Sequence, residues 1–325
     1  MDFSSLISPR VGISARQVAA TIALLNDKAT IPFIARYRKE QTGSLDEVQI
    51  GNIADEYHRF LELDDRKQTI LDTISGQGKL TPELRQRIET SWDTTELEDI
   101  YLPYKPHRKT RADVAKEQGL EPLAKQLWRQ DNTRSDDMAK RFVSKERNVP
   151  DTQAALQGAR DIIAEWISQD EPARAAIRRE FTYTAVITTK VVKDKADSPE
   201  AQNYKDYFAI SEPLKRISSH RLLAIRRAES EGYIRVDISP DKEKALDKLA
   251  HRFLRANNDA AYQMELAIED SYKRLLKPSI ETEFSASSKE KADTEAIRVF
   301  ATNLRQLLLE SPLGQKRVLA VDPGF

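Results

Sequence analysis

Cysteine is absent from the 325-residue chain, so disulfides and thiolate metal sites are excluded. Histidine is almost as scarce. His58, His107, His220 and His251 lie far apart with no ligand spacing such as HExxH, so neither a metal nor another cofactor is expected. Glycine (10) and proline (14) are few, and no Gly- or Pro-rich linker breaks a composition rich in Ala, Leu, Glu, Lys and Arg, which favours helices. Charge of one sign is not in excess: 52 Lys and Arg balance 52 Asp and Glu. That excludes a chain drawn as a whole to polyanions and leaves only local patches. No apolar run reaches bilayer length, and the start Met-Asp-Phe-Ser-Ser-Leu-Ile lacks the features of a secretory signal. A soluble, cytoplasmic protein without a membrane partner is expected.

What is present reads as a mainly α, multi-helical chain. Ser14 caps a helix with Gln17 as its partner, and Ala29 to Glu40 forms a short helical segment with Pro32 in its first turn. Thr42-Gly43 ends that segment, and Ser44 with Glu47 starts the next. A long helix is predicted over Val48 to Ile74, with a stripe of Ile53, Tyr57, Phe60, Leu61, Ile70 and Leu71 and a break near Asp64-Asp65. Further starts are marked by Thr81-Pro82, Asp151 and Ser218. Leu102-Pro-Tyr-Lys-Pro106 is an extended connector, and Arg174 to Val192 either continues as helix or passes from helix into strand in its β-branched half, Thr182 to Val192. Lys193 to Asn203 is the best candidate for a mobile loop, while Tyr233 to Ile238 alternates like a strand. Asp241 to Lys277 reads as one long amphipathic stretch kinked near Asn257-Asn258 and closed or kinked by Pro278; Ser288 to Glu310 is another helix. Arg317 to Val321 reads as a short strand with Asp322 at its carboxyl end. One strand cannot satisfy its own edges, so the chain is read as the amino-terminal part of a longer protein, ending inside its next domain.

The strongest basic signal is Lys105, Arg108, Lys109 and Arg111, in a Pro-bounded loop beside Tyr101 and Tyr104. Clustered cations with adjacent rings hold phosphates and stack bases; a solvated face or a set of intramolecular ion pairs gives the same pattern. Arg36, Arg38 and Lys39 form a second cluster with Phe33, Ile34 and Tyr37, to be read either as a phosphate grip or as a segment buried against the long helix, with Glu40 pairing to Arg36. His220 and Arg221 precede Arg226-Arg227 on a capped helix, where a phosphate contact competes with a packing or capping role. Trp92, Trp128 and Trp166 are expected as anchors. Asp322 is the one carboxylate in an active-site-like position, and one carboxylate does not make a two-metal site.

Several of these segments resemble the Tex family of bacterial transcription accessory proteins. They are Ile31 to Ile50 (IPFIARYRKEQTGSLDEVQI), Tyr101 to Arg111 (YLPYKPHRKTR), Gly119 to Ala124 (GLEPLA), Asp206 to Arg227 (DYFAISEPLKRISSHRLLAIRR), Glu231 to Val236 and Arg317 to Phe325 (RVLAVDPGF), in order along the chain. The resemblance implies an elongated, nucleic-acid-binding protein. Its helical region contains a helix-turn-helix-like part, and a YqgF-type domain with an RNase-H-like fold follows, then helix-hairpin-helix and RNA-binding modules. The expected division is a helical region over 1–200, a helical central region with a short strand over 201–314, and the first strand of a truncated RNase-H-like domain over 315–325. The implied function is a nonenzymatic transcription accessory factor. RNA or DNA would be held mainly by modules beyond this sequence, with Lys105, Arg108, Lys109, Arg111, Arg36, Arg38, Lys39 and Arg221 as contacts here and the transcription machinery as a possible partner. A protein-interaction scaffold is the alternative. A metal-dependent, structure-directed nuclease using Asp322 is a third. Two departures stand out: Ala228 where the family often has Gly, and His107 where a basic residue is common.

Overall fold

The computed structural model describes residues 2–312 and 314–321. The chain divides into two compact units, Met1–Arg108 and Lys109–Phe325.

The first unit is all helix: α1 Ser4–Val11, α2 Ala15–Asn26, α3 Ile31–Tyr37, α4 Lys39–Thr42, α5 Glu47–Gly76, α6 Pro82–Thr90 and α7 Thr94–Tyr101. α5 is its spine, and α1, α2, α3, α6 and α7 all pack on it. The 30 residues of α5 run without a break through Asp64-Asp65. Its buried stripe is Ile53, Phe60, Leu63, Lys67, Ile70 and Ile74; Leu61, expected inside, is exposed, and Leu63 takes the place. The start also differs from expectation. Ser44 lies in the left-handed region at φ 64°, so the cap falls to Asp46, which closes a capping box with Gln49. Leu45 and Ile50 on either side of that cap are both buried in the same core. Phe3, Phe60 and Trp92 cluster at the middle of α5 with ring centroids 5.3–5.7 Å apart, so Trp92 is an anchor as expected.

The second unit opens with α8 Arg111–Glu117, α9 Glu121–Arg129 and α10 Ser135–Lys140, followed by α11 Thr152–Gln169 and α12 Glu171–Thr184. The chain then forms β1 Val186–Val191, α13 Pro199–Gln202 and β2 Ser211–Pro213, so the segment expected as a mobile loop is built around a short helix whose Ala201 is fully buried. α14 Ser219–Ser230, β3 Ile234–Ser239, α15 Lys242–Phe253, α16 Asp259–Asp270 and α17 Lys277–Leu308 complete it. α11 is the centre: Leu156, Ala159, Ile162, Ile163 and Ile167 are buried among α8, α9, α10, α12 and α16. Trp128 and Trp166 meet edge to face beside Phe253.

The three strands form an antiparallel sheet in the order β2-β1-β3, with Ile187 opposite Ile238 and Glu212. The free edge of β3 is partly closed by α17, where the Ile238 N–H donates to Glu281 Oε1 at 2.7 Å. The amphipathic stretch Asp241 to Lys277, expected to kink near Asn257-Asn258, is interrupted there and forms separate helices. α15 ends at Phe253, and Asn258 is not a kink but the N-cap of α16. Pro278 neither closes nor visibly interrupts the helix. A π-helical turn, Ser271–Leu276, stands just before it, which accommodates the donor that proline lacks, and α17 continues for 32 residues. Arg317 to Val321 forms no strand: its residues have no ladder partner and are exposed, and a strand without a partner has no hydrogen bonds to hold it. Asp322 lies outside the described residues.

Candidate nucleic-acid interface

The cations singled out in the sequence fall into three environments. The best-formed surface is the corner where α3 turns into α4. Ile34 and Ala35 are buried in the first unit's core, which turns Phe33, Arg36 and Tyr37 outward. α3 stops after seven residues because Arg38 leaves the helical region at φ −127°, ψ 26°. The backbone beyond is held firmly. Thr42 is fully buried, its Oγ1 donating to Arg38 O, and Gln17 Nε2 on α2 donates to Thr42 O at 3.1 Å and to Gly43 O at 3.4 Å. Gly43 sits at φ 69°, a left-handed conformation that favours glycine, and a Cβ there would meet the Gln17 amide at 2.8 Å and displace that side chain from its hydrogen bonds.

From this fixed corner the side chains reach into solvent. Tyr37 is 68% exposed and Phe33 38%, with ring centroids 5.3 Å apart, and the Arg38 guanidinium lies 5.0 Å from the Phe33 ring centre. Arg36 does not pair with Glu40. The helix has ended before the i,i+4 relation is complete, and Arg36 Nη2 instead stands 3.8 Å from Glu47 Oε1, both side chains being more than half exposed. Among the described residues, Arg38 and Lys39 form no ion pair. The segment is thus split between the two readings made from sequence: aliphatic side chains inside, cations and rings outside.

The basic run 105–111 is arranged differently. Lys105 Nζ lies 3.9 Å from Glu98 Oε2, and Arg108 is exposed. Lys109 pairs with Glu117 at 2.5 Å, and Arg111 is exposed in the first turn of α8, which Thr110 caps in a capping box with Asp113. Neither ring beside the run is free to stack. Tyr101 is 5% exposed under the Arg66 guanidinium, and Tyr104 packs against the first unit's core while its carbonyl accepts from Gln77 Nε2. Two of the four cations therefore already have carboxylate partners. Arg221 is a third case: half-buried, it donates to Glu212 Oε1 at 2.5 Å and ties α14 to β2. His220 faces Ser218 Oγ at 3.4 Å within its own helix start.

The fold and these positions define a mostly helical protein whose first unit carries an exposed cation-and-ring corner on a rigid support. Among the described residues no helix is long and apolar enough to cross a membrane. Residues 1–75 match the Tex-like protein N-terminal domain, and residues 130–300 match the Tex central region-like family. The chain belongs to the Tex family. It is 37% identical to the transcriptional accessory protein Tex of Neisseria gonorrhoeae, with all of this chain and 43% of that protein covered. Protein YhgF of Escherichia coli is 38% identical over the same shares. The human S1 RNA-binding domain-containing protein 1 is 27% identical, with 34% of its length covered. The chain thus spans less than half the length of the curated relatives it matches.

Proposed function

We propose that this chain is the helical scaffold of a transcription accessory factor and that its α3–α4 corner touches nucleic acid directly, without catalysis. The observation that carries the reading is the exposure of the rings beside the cations. Arg36, Arg38 and Lys39 project from a fixed backbone next to the open rings of Phe33 and Tyr37, whereas the rings beside the run 105–111, Tyr101 and Tyr104, are taken up by the first unit's core, and Arg221 is paired with Glu212. Guanidinium and ammonium groups held this way suit phosphate oxygens, whose neutralisation releases counterions and gives salt-sensitive affinity with little base preference. The relatives named for transcription and for RNA binding lend the reading its context. The helix-turn-helix-like part, an RNase-H-like domain opening near Arg317, the division at 200 and 314, and a cytoplasmic location belong to the same proposal.

The test is binding of this chain to RNA and DNA over a salt series. Replacing Arg36, Arg38 and Lys39 by Gln should flatten the log–log salt slope by about 2, at about 0.7–0.9 per lost phosphate contact. An unchanged slope would contradict it.

One observation favours a second reading as protein-docking scaffold. On α17, Ile297, Phe300, Leu304 and Leu307 recur at spacings of three and four and are exposed, and a groove of about 810 Å³ between α14 and α17 is lined by Leu214, Leu223, Val299 and Phe300 among others. Nuclease-resistant binding to purified RNA polymerase, lost on Phe300→Asp, would support it. Binding unaffected by that change would remove it.

A further inference from the structure

The phosphate grip leaves the exposed rings of the same corner unexplained. A tyrosine 68% open to solvent contributes little to a core, and the Phe33 ring beside it is more than a third open. Ile34 and Ala35, their neighbours on α3, supply the burial that fixes the helix, so Tyr37 is not needed for it. Arg38 adds a planar guanidinium at 5.0 Å from the Phe33 ring centre, so cation and ring stand together.

Resting on the reading of this corner as a nucleic-acid contact, we infer that it takes single-stranded nucleic acid, with Tyr37 as a stacking platform for an unpaired base and Arg36, Arg38 and Lys39 on the flanking phosphates. The physical reason is selection by accessibility. Every base has a π-face, but inside a duplex both faces are covered by neighbouring base pairs, so a projecting ring meets a base face only where the strand is unpaired. Phosphates, by contrast, are exposed in both forms. Cations alone would therefore bind duplex at least as well as single strand, because the duplex has the higher charge density. Cations with an open ring on a rigid turn reverse that order. The rigidity matters as well: the backbone from Arg38 to Gly43 is already fixed by Thr42 and Gln17, so a bound base orders only side chains. The segment carries three cations against Glu40 alone between residues 36 and 40, and so keeps a positive balance next to the ring.

The test uses the full 325-residue chain and fluorescence anisotropy with a labelled single strand, as RNA and as DNA, and with the matching duplexes. Tyr37→Ala should weaken single-strand binding roughly 5- to 100-fold, as expected for loss of one base stack, while leaving duplex affinity and the single-strand salt slope unchanged. Tyr37→Phe should restore it. Because Tyr37 is exposed, unchanged circular dichroism and melting temperature check that Tyr37→Ala still folds. Equal loss on both forms, or none on either, overturns the stacking role; if Gln at Arg36 and Arg38 still flattens the salt slope, the phosphate reading survives alone. Absence of binding to every form by folded protein overturns both.

Discussion

At the scale of the residue, Lys67 and Gln130 show how much a single polar side chain does inside this fold. Lys67 lies in the buried stripe of α5, donates to Glu89 O at 2.9 Å and stands 3.0 Å from the Trp92 ring centre. Burial pushes its ammonium down to about 8, against the pull of Asp64 and Glu89. Its folded value lies below its unfolded one, near 10.5. Between those two values the unfolded chain holds a proton that the folded chain has released, so stability should rise with pH from about 8 toward 10. A denaturation series should show that rise for the native chain and a flatter profile for Lys67→Met; identical profiles would contradict the assignment. Gln130 sits at φ 57° and is 5% exposed. Its amide donates to Phe253 O and accepts from the N–H groups of Arg255 and Ala256, satisfying the chain where α15 breaks off. Gln130→Ala leaves the buried Phe253 carbonyl unpaired and removes the acceptor of two N–H groups in an exposed segment, and should cost about 1–3 kcal/mol in denaturant unfolding; a loss below about 0.5 kcal/mol would show that these groups find other partners. Neither role was legible. A lysine in an apolar stripe reads as a phase error, and the partners of Gln130 lie up to 128 residues downstream.

At the scale of the element, local signals were reliable where the partners are local. Ser14, Thr81 and Asp151 cap the helices their spacing predicts; of the two readings open for Arg174 to Val192, the structure takes the passage into strand, between Thr184 and Val186. The failures have tertiary causes. Ser44 lost the cap to Asp46 because the turn at Gly43 places Ser44 at positive φ. The kink expected near Asn257-Asn258 in the stretch Asp241 to Lys277 is instead a full break, because Gln130 satisfies an irregular segment there. The predicted strand at Arg317 has no neighbour among the described residues. The docking of α17 on α12 was likewise invisible in sequence. Glu283 accepts from Arg174 Nη2 at 2.7 Å and from Arg178 Nε at 2.6 Å, with Arg174 almost wholly buried. Replacing it by Ala removes the carboxylate that balances two guanidinium groups and should destabilise the second unit by about 2–4 kcal/mol. Calorimetry or urea unfolding measures this, and a neutral result would mean that Ser279 and Ser168 suffice for Arg174.

At the scale of the whole molecule, composition and motif order were enough to establish the family, since the quoted segments run from Ile31 to Phe325 and the family matches cover 1–75 and 130–300. The site was legible only as residue types. Sequence picked out the cations but could not show that Arg221 is paired with Glu212, that Tyr101 is buried, or that Tyr37 is open; pairing and exposure depend on what folds alongside. Balanced total charge told nothing about the corner, because distant carboxylates offset the sum without screening the patch beyond about one Debye length. The central claim is that the exposed cations of α3–α4, rather than the basic run 105–111, contact nucleic acid. It is tested most directly by the salt slope of single-strand binding in two variants. One carries Gln at Arg36, Arg38 and Lys39; the other carries Gln at Lys105, Arg108, Lys109 and Arg111. A slope flattened by about 2 in the first and by less than 1 in the second is expected. The reverse order would place the contact on the basic run and contradict the account.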